Sequence, residues 1–178
     1  MLSSASGAFD EETFRALVDW QVTEGTKGLV PVGTTGESPT LSEEEHFKVI
    51  ETVVKKAAGR IQVIGGAGGN CTAKVVKATQ KCKDLGCTAV LSVIPYYNKP
   101  TQQGLFEHFQ AVARSVNLPI ILYNVPGRTG CDLLNETVVK LSQIDNIVAI
   151  KDATGVRLYS VPATPSRVRM ALKEAGYD

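Results

Sequence analysis

A lysine at the end of an apolar run is the residue of this sequence best suited to covalent chemistry. Residues 147–150 are Ile, Val, Ala and Ile, and Lys151 follows them directly. A short apolar run of this kind is typical of a buried strand in a parallel sheet. Burial disfavours the charged form of a lysine, so an amine at such a strand end can attack carbonyl groups. A solvated lysine that closes a strand is the plainer interpretation of Lys151 taken alone.

A polar turn follows the first apolar run of the chain. Gly33 and Gly36 flank Thr34 and Thr35 in this turn. Glycine lets the backbone turn sharply toward a helix entrance, so amide and hydroxyl groups can converge on a small anion such as a carboxylate. A helix-capping turn is the alternative interpretation.

Tyrosines follow two later apolar runs. Tyr96 and Tyr97 come after the third run, and Tyr123 ends the fourth, with Arg128 five residues further on. A phenol held by another hydroxyl relays a proton, and an arginine binds a carboxylate through two parallel hydrogen bonds. Packing or interface tyrosines and a solvated arginine are the corresponding alternatives.

Together these residues supply what carbonyl chemistry on a 2-oxo acid requires: an amine, a carboxylate cradle and hydroxyl groups. The histidines, His46 and His108, are predicted to lie within helices away from strand ends and are poor candidates for catalysis. No Ser-His-Asp or Cys-His arrangement is recognised. The glycine-rich segment 65–69 lacks the Lys-Ser/Thr of a phosphate-binding loop and predicts a turn with close backbone approach.

Strands and helices alternate along the chain. The five apolar runs recur at steps of about 30 residues, the length of one βα unit. Intervening helices are predicted, one opening at a capping box formed by Ser42 and Glu45, and one capped by Thr72. The pattern predicts an α/β fold with about five parallel strands. A closed eight-stranded barrel needs roughly 250 residues, so the pattern alone leaves barrel and doubly wound sheet open.

Composition narrows the class of protein. The 178 residues are 43% hydrophobic and 21% charged, with a formal net charge of +1. This balance favours neither nucleic-acid binding nor a membrane surface. The four cysteines form no C-x-x-C pair, so we expect reduced thiols and no metal site. No leader or membrane-spanning run is recognised, and a cytoplasmic location is expected.

Four motifs resemble one enzyme family. They are G-T-T-G-E-S, P-Y-Y-N-K-P, Y-N-V-P-G-R-T-G and I-K-D-A-T-G. In these segments the chain resembles the dihydrodipicolinate synthase family of lysine and diaminopimelate biosynthesis. The resemblance implies a (β/α)8 TIM barrel that condenses pyruvate with aspartate 4-semialdehyde through a lysine imine, without cofactor or metal. It also implies a homo-oligomer, arranged in the family as a dimer of dimers.

The resemblance also implies roles for individual residues. Lys151 would form the imine with pyruvate and Tyr123 would move protons beside it. Thr34 and Tyr97 would complete the hydroxyl relay, with Tyr97 reaching into a neighbouring subunit. The carboxylates of pyruvate and the semialdehyde would be bound by Thr35 and Arg128, respectively.

The family's lysine-binding regulatory pocket maps to four residues of this chain: Ser38, His46, Asn70 and Tyr96. Lys74 stands where lysine-inhibited members carry a glutamate, and a cation there would repel the ammonium groups of the effector. Weak or no inhibition by lysine is therefore expected.

The sequence departs from the family pattern at both ends. Residues 1–155 are predicted to form a partial barrel domain, with residues 1–7 replacing the first strand. Residues 156–178 are predicted to be a C-terminal tail and helix that follow the lysine loop directly, without the last two barrel strands. A non-catalytic member that pairs with other subunits, or another pyruvate aldolase such as N-acetylneuraminate lyase, is the alternative to a synthase.

Overall fold

The structure is a computed structural model that describes residues 9–154. The predicted segments 1–7 and 156–178 lie outside the described residues, and the proposed domain boundary stays a prediction. Within the described range the chain divides into two compact units, residues 9–66 with 81–90 and residues 67–80 with 91–154.

Helices and strands alternate through the described residues. The helices are α1 (Glu11–Thr23), α2 (Glu43–Ala57), α3 (Thr72–Leu85), α4 (Gln102–Ser115), α5 (Pro126–Thr129) and α6 (Asn135–Leu141). The strands are β1 (Gly28–Leu29), β2 (Gln62–Gly66), β3 (Ala89–Val93), β4 (Ile120–Asn124) and β5 (Ile147–Asp152). They form a sheet in the order β1-β2-β3-β4-β5, in which β1 pairs with β2 and β4 with β5 in parallel. The predicted alternation of five strands with helices is confirmed.

The helices of the first unit begin at side-chain caps. Asp10 accepts a hydrogen bond from the N–H of Thr13 at 3.0 Å at the start of α1. At the start of α2, Ser42 and Glu45 exchange hydrogen bonds of 3.2 and 3.0 Å, which is the predicted capping box. These caps satisfy amide groups that a helix leaves without an internal partner. The buried face of α2 then packs into the core through Val49, Ile50, Val53 and Ala57.

The first strand is shorter than the apolar run that contains it, which spans residues 27–32. Its ladder covers only Gly28–Leu29. Proline lacks an N–H donor, so Pro31 cannot donate to the sheet. Val32 has a φ of 51°, a left-handed conformation that a strand cannot continue through.

Two glycines of the segment 65–69 permit close backbone approach, as predicted. A Cβ atom at Gly66 would overlap the carbonyl oxygen of Val32 in the first unit. A Cβ atom at Gly68 would overlap the backbone nitrogen of Val93 in the second. Only a residue without a side chain fits at these positions.

In the second unit, α4 packs against α6, and β4 pairs with β5. The interior face of α4 is fully buried at Leu105, Phe109 and Val112. Thr72 is the first residue of α3 and not its N-cap as predicted. Its hydroxyl instead pairs with Nδ1 of His108 at 2.9 Å.

Among the described residues, none of the helices is long and apolar enough to span a membrane.

Candidate active site

Lys151 and Tyr123 are neighbours on adjacent strands. They are register partners in the parallel pair β4 and β5, and the side chains of paired residues point to the same face of a sheet. The Nζ atom of Lys151 lies 4.2 Å from the centroid of the Tyr123 ring. The tyrosine is 8% exposed, so its ring forms a fixed apolar surface under the amine. The structure therefore brings together the predicted nucleophile and the predicted proton-transfer group.

The environment of Lys151 differs from the prediction. The lysine lies within β5, as its second-to-last residue, and its side chain is exposed in the described chain. The expected burial of the amine is therefore not seen among the described residues. The amine lies over the tyrosine ring in a residue that is exposed as a whole.

A buried asparagine that sequence reasoning missed braces this strand pair. Asn124 is 2% exposed and follows Tyr123 at the end of β4. Its Nδ2 donates to Oδ1 of Asp132 at 2.7 Å and to Oδ1 of Asp152 at 3.2 Å. Its Oδ1 accepts from the N–H of Leu133 at 3.1 Å. Because Asp152 directly follows Lys151, this network fixes the backbone that carries the amine.

Arg128 lies on an unpredicted helical turn. The segment read as a Pro-Gly turn forms α5, with Pro126 at its first position, where a missing N–H costs nothing. Gly130 ends the turn with a φ of 72°, a conformation that glycine adopts readily. The Arg128 side chain is exposed.

Tyr97 is held at the tip of a strained loop. The N–H of Asn98 donates to the carbonyl of Tyr96 at 2.9 Å across Tyr97, whose φ is 73°. This is a γ-turn geometry that is rare for a residue with a side chain. The N–H of Tyr97 donates to the carbonyl of Thr129 at 3.2 Å, which ties the loop to α5. The side chain of Tyr97 is nevertheless 90% exposed.

The predicted regulatory residues divide between the units. Asn70 donates from Nδ2 to the carbonyl of Tyr96 at 3.2 Å within the second unit. Ser38 and His46 belong to the first unit. There, Nε2 of His46 lies 2.8 Å from the carbonyl oxygen of Gly66, and burial lowers the pKa of this histidine.

Thr34 and Thr35 also belong to the first unit, where both are exposed. They open a 3-10 turn, Thr34–Gly36. The amides of Gly36 and Glu37 donate to the carbonyls of Gly33 and Thr34 at 2.9 and 3.1 Å. These two amides are therefore not available to an anion, contrary to part of the prediction, which now rests on the threonines themselves.

Other chemical groups lie away from this constellation. His108 is 5% exposed within α4, and desolvation lowers its pKa to about 4. No cluster of three or more metal-binding side chains occurs among residues 9–154. A cavity of about 230 Å³ in the first unit has an apolar lining from α1, α2 and the β1 segment and contains none of the predicted catalytic residues.

Comparison with known proteins identifies the family. A sequence model described as the dihydrodipicolinate synthetase family matches residues 3–169. The chain belongs to the dihydrodipicolinate synthetase family. The resemblance noted in the four sequence motifs is thereby confirmed.

Curated relatives are named 4-hydroxy-tetrahydrodipicolinate synthase. One from Nitrosospira multiformis is 57% identical over 150 residues, which cover 84% of this chain and 50% of the relative. One from Parvibaculum lavamentivorans is 51% identical over 173 residues, 97% of this chain and 57% of the relative. The chain thus spans about half the length of the curated relatives it matches.

Solved structures of the same family match the fold. The dihydrodipicolinate synthase of Acinetobacter baumannii, in complex with pyruvate, has a TM-score of 0.86 and 47% identity over 99% of this chain and 57% of that chain. The synthase of Aquifex aeolicus also has a TM-score of 0.86, with 45% identity over 97% of this chain and 57% of that one. The predicted fold class, a parallel α/β fold of the (β/α)8 TIM-barrel type represented by five βα units, is confirmed.

Proposed function

We propose that this chain carries a 4-hydroxy-tetrahydrodipicolinate synthase site, which condenses pyruvate with aspartate 4-semialdehyde in lysine and diaminopimelate biosynthesis. The observation that carries the proposal is the placement of the Lys151 amine on the face of the Tyr123 ring in a chain of this family. The pyruvate complex of the Acinetobacter baumannii relative supports the choice of substrate.

In the proposed reaction, the neutral amine of Lys151 attacks the carbonyl carbon of pyruvate. Loss of water from the adduct gives an imine, which draws electrons from the neighbouring methyl group. Removal of a methyl proton gives an enamine whose carbon attacks the aldehyde of the second substrate. The Tyr123 hydroxyl is assigned the proton transfers to the departing oxygen of the adduct and from the methyl group, because its ring already lies against the amine. The protein amine itself supplies the activation, so the proposal includes no metal or cofactor.

The remaining roles follow from the motif matches. Thr34 and Tyr97 are proposed to complete the hydroxyl relay and Thr35 to bind the pyruvate carboxylate. Arg128 is proposed to bind the carboxylate of the semialdehyde, which its exposed guanidinium suits. The exposure and strained backbone of Tyr97 support a homo-oligomer in which this side chain enters a neighbouring subunit.

A weak response to lysine is part of the same proposal. Lys74 is exposed at the start of α3, close in sequence to Asn70 of the proposed effector site. We expect no loss of product formation at low lysine concentration, and dose-dependent inhibition would contradict this. Lys74→Glu is expected to introduce sensitivity, because a carboxylate would attract the effector's ammonium group.

Product formation from the two substrates, followed by mass spectrometry, tests the activity. The unmodified chain and Lys140→Arg, a control at an exposed position of α6, are expected to form product at equal rates. Lys151→Arg is expected to lower the rate on the order of 10³-fold or more, because a guanidinium does not form the imine. Equal rates for the two arginine variants would contradict the proposal.

A non-catalytic family member is the second candidate. It is favoured by the exposure of Lys151, since the described residues do not enclose the amine. In that case the folded chain forms no product alone and instead associates with a full-length family member. Size measurement of the mixture, made beside the product assay, separates the two candidates.

A further inference from the structure

Two buried cysteines of the first unit lie side by side. Cys82 is 0% exposed near the end of α3, and Cys87 is 6% exposed just before β3. A Cβ atom built at Gly65 would lie 2.8 Å from the Sγ of Cys82 and 3.1 Å from the Sγ of Cys87. Both sulfur atoms therefore face the same point on β2, and both are free thiols.

The backbone at the end of α3 explains this contact. The N–H of Gly86 donates to the carbonyl of Lys83, and the N–H of Cys87 donates to the carbonyl of Cys82, both at 3.0 Å. Gly86 has a φ of 93°. These bonds define a Schellman motif, a helix ending in which the residue after the left-handed glycine packs on a residue of the last helical turn. That contact is normally apolar, and here each partner is a thiol.

The spacing suits a covalent bond. Disulfides require Cα atoms roughly 4.4–6.8 Å apart and side chains directed at each other. The backbone hydrogen bond from Cys87 to Cys82 and the shared contact at Gly65 hold the two residues close together with their sulfur atoms on the same side. The turn therefore holds Cys82 and Cys87 close together before any disulfide forms.

The two sulfur atoms differ in chemical character. The thiol of Cys82 and the amide of Gly65 donate toward Cys87, and these hydrogen bonds lower the pKa of the Cys87 thiol. The same contact, together with burial, raises the pKa of the Cys82 thiol. Cys87 is also the more exposed of the two, so it is the sulfur that reacts first.

We propose that Cys82 and Cys87 are a redox-sensitive pair that closes reversibly into an intramolecular disulfide across the end of α3. The oxidant is a small disulfide such as oxidised glutathione. The Cys87 thiolate attacks one of its sulfur atoms and expels one thiolate, forming a mixed disulfide. Cys82 loses its proton to solvent and attacks the Cys87 sulfur, expelling the second thiolate. Two protein thiols and one small disulfide thus become one protein disulfide and two small thiols.

For the oxidant to reach these buried thiols, the end of α3 must open locally. The last turn of a helix opens at a lower free-energy cost than the whole domain. The closed bond would hold the end of α3 and the start of β3 against the carboxyl end of β2.

Intact mass after treatment with oxidised glutathione and alkylation tests the proposal. The test uses the variant Cys71→Ser with Cys131→Ser, which leaves only the pair. Its mass is expected to fall by that of two hydrogen atoms, and both thiols are expected to escape alkylation until a reductant is added. Because Lys83 lies between the two cysteines, trypsin leaves them on separate peptides that only the disulfide joins.

Single replacements supply the controls. With Cys82→Ser added, the expected product is a stable glutathione adduct on Cys87, because the resolving thiol is gone. With Cys87→Ser added, reaction with glutathione is expected to slow at least tenfold. Full alkylation of both thiols in the folded pair variant after oxidation would overturn the proposal. A glutathione adduct that persists while both cysteines are present would overturn it as well.

Discussion

The polar residues at the ends of β4 and β5 are held differently from those that follow β1. Asn124 joins its neighbours through three side-chain hydrogen bonds, and Lys151 rests on a buried ring. Thr34 and Thr35 instead lie in a turn closed mainly by backbone hydrogen bonds, and their side chains are exposed. The first region thus has its geometry set by contacts between distant parts of the chain, and the second by local backbone conformation.

This difference separates the two parts of the proposed chemistry. Covalent attack needs a nucleophile at a defined position, which a braced strand pair provides. Anion binding by the threonines of this turn tolerates adjustment, because exposed hydroxyl groups can reorient around a small ligand. Changes to the β4 and β5 brace should therefore affect imine formation, whereas changes near β1 should affect stability or the affinity for a carboxylate.

The largest expected effect is at the backbone contact that positions the β1 segment. Gly66→Ala places a methyl group against the carbonyl of Val32, so we expect a loss of about 3 kcal/mol in the free energy of unfolding. Gly69→Ala meets only a side-chain methyl of Val75, at 3.4 Å, and is expected to cost under about 1 kcal/mol. Urea unfolding of the two variants tests this. Equal losses would show that the contact between Gly66 and Val32 does not position the β1 segment.

A pH effect distinguishes the two histidines. The pKa of His108 is lowered to about 4 by burial, so between pH 6.5 and 4 the unfolded chain binds a proton that the folded chain does not. Stability should fall as pH falls through this window, by up to about 3 kcal/mol. Urea unfolding at several pH values should show a shallower slope in His108→Gln. His46→Gln should remove a smaller part of the pH dependence. An unchanged slope in His108→Gln would contradict the attribution of the pH dependence to this histidine.

Two asparagines hold opposite ends of β5: Asn124 bonds to Asp152 at its end, and Asn146 directly precedes its start. Asn124→Ala removes the brace and leaves the N–H of Leu133 without its partner, so we expect a loss of about 2 kcal/mol and slower imine formation. Asn146 donates to the backbone carbonyls of Ala113, Val116 and Leu118, with the shortest bond at 2.9 Å. Asn146→Ala should lower the free energy of unfolding by about 1–2 kcal/mol. Imine formation should be unchanged in Asn146→Ala. If both variants lose reactivity in proportion to stability, Asn124 has only a structural role.

The smallest effect concerns the cap of α2. Ser42→Ala removes an acceptor for the N–H of Glu45, with an expected cost of about 1 kcal/mol. Thr23→Ala removes an exposed hydroxyl bonded to the carbonyl of Asp19 within α1 and should change stability by less than about 0.5 kcal/mol. Thermal unfolding of the two variants compares them, and a larger loss at Thr23 would be inconsistent with the cap assignment.

The sequence predicted features that depend on neighbouring residues. The capping box at Ser42, the repeated βα units and the close approach at Gly66 each have a local signal, and each is present in the structure. The family motifs led to the confirmed fold class and family. The roles proposed for the site residues remain predictions from the same motifs.

Features that depend on distant contacts or on unusual local backbone conformations were missed. The early end of β1, at Leu29, depends on the left-handed conformation of Val32, which a β-branched residue seldom adopts. The brace at Asn124 joins residues 28 positions apart, so periodicity gives no sign of it. A polar residue immediately after Tyr123 at a strand end was the available signal. The pairing of Cys82 with Cys87 was signalled only by the glycine between them near a helix end.

The most direct test of the central claim is peptide mapping after borohydride reduction in the presence of pyruvate. Borohydride converts an imine into a stable secondary amine, so the attachment site survives proteolysis. We expect the added mass to lie on Lys151, to be absent in Lys151→Arg and to remain in Lys140→Arg. A folded, unmodified chain that gains no mass, or gains it equally on several exposed lysines, would contradict the claim that Lys151 is the nucleophile.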